Sequence, residues 1–179
     1  MPDQCLSDTL LAELNTHTPA ELGPKRRQNA KSQAEVEATV RAALHASDRS
    51  HTDQSLILSL ALLWHDHLDA SHDISQSIKN ASGSFIHGIM HRREPDYPNA
   101  KYWFRTTGNH PVFTTIASRV HNTPDIASSI VRSLASENNQ WDPFAFVDAC
   151  EKETDSHSAN LRLIQQIEYE CLLVWLCEA

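Results

Sequence analysis

His87 and His91 stand four residues apart, so on a helix both imidazoles project from one face. That is the spacing at which two ring nitrogens can share a metal ion. His72 precedes them, with Gln76 at the same spacing from it, and Glu94 and Asp96 follow. Three neutral imidazoles and a carboxylate suit Zn, Fe, Mn or Ni and leave room for an exogenous ligand. His72, His87, His91 and Asp96 are therefore the expected metal ligands. His72, His91 and Glu94 are the expected acid and base groups, in a metal-dependent or a metal-free form. A zincin is excluded, because Gly88 stands where that motif requires glutamate.

Lys101 and Arg105 form a second i, i+4 pair, this one basic. Together with Arg92 and Gln76 they are expected to bind a small anionic or hydroxyl-rich substrate, since guanidinium forks match carboxylate and phosphate. The expected function is a small-molecule enzyme using hydrolytic, lyase or isomerase chemistry. The residues do not choose among the three. The alternative is a helical protein-interaction module, in which the aromatic segment 97–107 and its basic neighbours dock an acidic partner. Ser82-Gly83-Ser84 carries no nucleophile elbow, for want of the strand and the G-x-S-x-G frame.

The totals narrow the classes. Four glycines in 179 residues, none paired into a loop, argue against Rossmann, Walker-type and sandwich folds. A net charge of −8 disfavours general nucleic-acid binding, which depends on neutralising phosphates. The charge is uneven. Residues 79–119 hold six bases and two acids, a local +4 that leaves −12 elsewhere. Six of the eleven histidines also fall between His65 and His110. Without a basic leader, a long apolar run or a C-x-x-C spacing, the chain is expected to be cytoplasmic, off the membrane and with reduced thiols.

These side chains must be carried by helices, because no strand-like alternation competes. Ser32-Gln33-Ala34-Glu35 is a capping box, and Ser50 with Asp53 makes a similar start. Asp96-Tyr97-Pro98, Thr123-Pro124 and Asp142-Pro143 each place proline where a first turn accepts it. Gly108 suits a helix end, and a last helix is expected over 158–176. If the helix beginning near Ser50 runs on, His65 and Asp69 join His72 and Gln76 in one polar stripe. Both histidine-bearing helices are expected to be amphipathic, their imidazoles on the polar side. The expectation is an all-α fold of seven to nine helices. Residues 32–179 form one domain behind a flexible or partly helical arm, 1–31. Asp96-Tyr97 with Ala100, Tyr102, Trp103 and Phe104 resembles half of a tetratricopeptide repeat, but no second copy occurs at a period of 34, so no repeat array is expected.

Overall fold

Side-chain caps fix where several helices begin. The Ser32 hydroxyl accepts from the Glu35 amide while Glu35 reaches back to the Ser32 amide, so the capping box forms as its sequence requires. The Ser50, Asp96 and Asp142 side chains each accept from a first-turn amide, without the reciprocal bond of the box. The computed structural model describes residues 5–45, 47–135, 140–153 and 158–178. In chain order it contains α1 (Leu6–Leu14), α2 (Gln33–Leu44), α3 (His51–Trp64), α4 (Leu68–Ser75), α5 (Ala81–Arg93), α6 (Tyr97–Thr107), α7 (Val112–His121), α8 (Ser128–Leu134), α9 (Pro143–Glu151) and α10 (Ser158–Glu178). Among the described residues there is no strand, only an isolated antiparallel bridge between Ala135 and Trp141. The fold is all-α as expected, and the described residues hold ten helices, close to the expected seven to nine.

One expected helix start fails. The Thr123 hydroxyl donates to the Arg119 carbonyl, which ties it back to the end of α7, and no helix begins at Pro124. The chain turns instead, and α8 begins at Ser128. A second difference matters for the site. The stripe through residues 65, 69, 72 and 76 is broken, because α3 stops at Trp64 and α4 starts at Leu68. Between them Asp66 takes φ of +66°, a left-handed conformation that aspartate tolerates better than most residues. Its carboxylate accepts from the Arg27 amide and side chain and from Arg93.

The core lies among α3, α5 and α10. Leu56, Ile57 and Leu60–Trp64 of α3 meet Phe85, Ile86, Ile89 and Met90 of α5, and Ile164, Leu172 and Leu173 of α10. Residues 5–31 add Leu10, Leu14 and Ala20 to that core, and Arg27 is buried beside Asp66. The helix α5 is not amphipathic. Every residue from Gly83 to Arg93 is buried, so its histidines and its arginines both point into protein. At Gly88 an added Cβ would stand 3.2 Å from the Phe104 ring. Glycine thus lets α6 lie close against α5, which places Trp103 over His87.

Candidate metal centre

Two short helical segments and one glycine assemble the site. His87 and His91 share a face of α5, as their spacing requires, and His72 arrives from the middle of α4. One ring nitrogen from each lies within 4.8 Å of the others. The His87 and His91 rings are nearly parallel, with centroids 4.7 Å apart and planes at 19°. His72 stands edge-on to both, at 78° and 77°. The indole of Trp103 stacks on His87 at 4.0 Å and 19°. His87 and His91 are buried, and His72 is half-buried, so one ligand faces outward.

The hydrogen bonding is uneven. Neither ring nitrogen of His87 has a hydrogen-bond partner, although both are buried. Burial pushes its pKa down to about 4, and the neighbouring His91 and His72 add to the effect. A neutral imidazole with a free lone pair is what a metal ion requires. His91 differs, because its Nδ1 lies 3.1 Å from Glu94 Oε2. An ionised carboxylate can only accept, so Nδ1 carries the proton and Nε2 keeps its lone pair. Burial lowers the His91 pKa, and the opposing charge of Glu94 reduces that shift. The Asn99 amide nitrogen lies 3.1 Å from Nε2 and 3.4 Å from Nδ1 of the same ring. Such similar distances put it over the ring face and leave the in-plane lone pair of Nε2 open.

The other clustered histidines each have at least one structural partner, although His65 Nε2 is buried without one. The Lys31 amide donates to His65 Nδ1, and His67 Nε2 donates to the Lys31 carbonyl. The Val112 amide donates to His110 Nδ1, so Nε2 carries the proton and donates to Ser82 Oγ at 3.0 Å. That tautomer leaves His110 without a lone pair to activate Ser82.

The remaining expected site residues do not converge on the trio. Asp96 is not among the grouped ligands; its carboxylate caps α6, accepting from the Asn99 amide at 3.3 Å. Arg92 is only 1% exposed and pairs with Glu168 at 2.6 Å inside the core, out of reach of a solvent-borne substrate. One helical step of 100° past His91 is enough to turn it there. Lys101 is engaged by Asp148 and, at 4.0 Å, by Glu151. Gln76 is exposed and donates to Asp73, and Arg105 is exposed on α6. No anion clamp is assembled among the described residues. Two residues not read from the sequence do join the site, Trp103 and Asn99. The signals for them were the Asp96 cap, which puts Asn99 in the first turn of α6, and the Gly88–Phe104 fit, which becomes meaningful only once the two helices are known to touch.

Compared with protein-family models, curated proteins and solved structures, the chain matches none. No helix among the described residues is long and apolar enough to cross a membrane.

Proposed function

We propose that His72, His87 and His91 bind a divalent transition-metal ion and that this centre serves a small-molecule enzyme. The observation that carries the reading is the pair of buried, unpartnered nitrogens on His87, beside two further imidazoles within ligand-sharing distance. Leaving polar atoms buried without partners costs about 1–3 kcal/mol each, so the arrangement is expensive unless something else binds there. The donor set is nitrogen only, since Glu94 faces His91 and Asp96 caps α6. Of the ions expected from the sequence, Zn and Ni fit such a set better than Mn or Fe, which favour a carboxylate. An ion held by three imidazoles keeps an open position and lowers the pKa of a bound water to about 7, the chemistry of hydrolysis and hydration. Glu94, exposed and hydrogen-bonded to His91, is placed to hold or pass a proton. Lyase and isomerase steps would use the same groups. Because Arg92 and Lys101 are engaged elsewhere, a polar, hydroxyl- or carbonyl-bearing substrate fits better than a strongly anionic one.

Metal content and Zn(II) or Ni(II) calorimetry on the full chain test this. One equivalent per chain is expected, with affinity falling at least 100-fold in His72→Ala, His87→Ala and His91→Ala. Binding that is absent from the parent chain, or indifferent to all three changes, would sink the proposal.

One observation favours the interaction module, namely Tyr102, which is 54% exposed on α6. Its basic half is weakened by the Lys101–Asp148 pair, so the module reading retains Tyr102 and Arg105. Capture of an acidic peptide that fails in Tyr102→Ala but survives His87→Ala would support it.

A further inference from the structure

Histidines that bind metals usually have their second nitrogen tied by a carboxylate or carbonyl, which sets the ring's direction. His91 has such a tie in Glu94. His87 has none, as both its nitrogens lack hydrogen-bond partners. Its ring contacts are the stack on Trp103, the stack on His91 and the edge of His72. The Trp103 contact is the shortest of these, at 4.0 Å between centroids, and the planes are within 19°. Trp103 is held there from behind. The next residue, Phe104, is buried against Gly88, one position past His87 on α5. Sequence neighbours on α6 therefore grip sequence neighbours on α5.

We infer that Trp103 is a positioning residue of the three-histidine centre: its indole face sets the plane of His87, at 78° to the His72 ring, as Glu94 sets His91 by a hydrogen bond. The inference rests on the proposed centre for its consequence, and on the stack alone for its geometry. Stacking fixes a ring plane without using either nitrogen. It thus leaves the neutral His87 ring free to present one nitrogen to an ion while the other keeps its proton.

Trp103→Leu keeps apolar volume and removes the flat face, whereas Trp103→Phe keeps a flat face. Ni(II) affinity is expected to fall about tenfold or more in the leucine variant, the usual cost of losing an orienting partner, and to stay within about threefold in the phenylalanine variant. A role in packing alone would lower the melting temperature and leave the affinity unchanged. The metal-free protein gives a second readout. The ring-proton resonances of His87 should lie upfield under the indole ring current, and should lose that shift and broaden in Trp103→Leu. Unchanged affinity in the leucine variant, an equal loss in both variants, or His87 resonances indifferent to Trp103 would overturn the inference. If the parent chain takes up no Ni(II), the centre itself fails, and the resonances still decide whether Trp103 holds His87.

Discussion

One helix carries two buried polar faces, one with opposite charges paired and one without. On one side of α5, Arg93 donates to the Leu63 carbonyl and to Asp66, and Arg92 pairs with Glu168 and Gln165 and lies over the Phe146 ring. Charges are matched there, and Arg27 completes the pairing of Asp66. On the other side, His87 and His91 are neutral, close together and short of partners. Burial raises the pKa of the Asp66 carboxyl, yet the hydrogen bonds from Arg27 and the charges of Arg93 and Arg27 outweigh it and hold the group below its ordinary value. No comparable pairing rescues His87. The arginine face is held by opposite charges even though Arg92 Nε and Nη1 and Glu168 Oε1 lack hydrogen-bond partners. On the proposed reading, the histidine face is accounted for by a ligand.

That contrast can be broken at several points. The largest expected effect is acid lability. Burial holds the pKa of His65, His87 and His110 at about 4, against an ordinary 6.5. Between those values the unfolded chain binds up to three protons that the folded chain refuses. The part of stability linked to these three rings is therefore full above about pH 6.5, falls on acidification toward pH 4 and changes no further below it. Urea midpoints across that range measure the slope, which His87→Leu should reduce by about one proton. A flat profile would mean these rings titrate normally.

Next in size is Arg92→Ala, which leaves Glu168 buried without its counter-charge. A loss of about 3–5 kcal/mol in chemical denaturation is expected, with metal affinity unaltered in whatever fraction remains folded. His87→Leu should act in the opposite sense. Removing two unpartnered buried nitrogens should stabilise the metal-free chain by about 1–3 kcal/mol while abolishing ion binding. A destabilised His87→Leu would erase the distinction between the two faces.

Smaller effects sharpen the picture. Gly88→Ala gains about 1 kcal/mol of helix propensity but forces a Cβ against Phe104, and overpacking of that kind costs about 1–3 kcal/mol. The net should be a modest loss, accompanied by altered Trp103 fluorescence as α6 is pushed outward. Lys101→Ala removes a half-exposed ion pair with Asp148 and should cost only about 0.2–1 kcal/mol. A larger loss there would revive a special role for Lys101.

How much of this was legible depends on the range of the interaction involved. Caps are local, so Ser32, Ser50, Asp96 and Asp142 could be read directly, and they start helices where expected. The i, i+4 spacing of His87 and His91 is equally local, and the two rings do share a face. Thr123-Pro124 misled because the residues after α7 form a turn, with the Thr123 hydroxyl tied back to Arg119 and its carbonyl accepting from Ile126. Arg92 misled for a different reason. A guanidinium suggests binding of an anionic substrate, yet the partners of Arg92 and its neighbour Arg93, Glu168 and Asp66, lie 76 and 27 residues away.

The basic island shows the same division. The sequence alone determined that residues 79–119 carry a local +4, because charge is a property of composition. Only the tertiary structure decided that this charge is not free: Arg92, Arg93, Lys101 and Arg119 are paired with Glu168, Asp66, Asp148 and Glu170, all from outside the segment. Likewise, helical periodicity settled the all-α class and the pairing of His87 with His91. The sorting of six clustered histidines into three with backbone or hydroxyl partners and three that converge required the chain to be folded, since that difference lies in which distant atoms stand beside each ring.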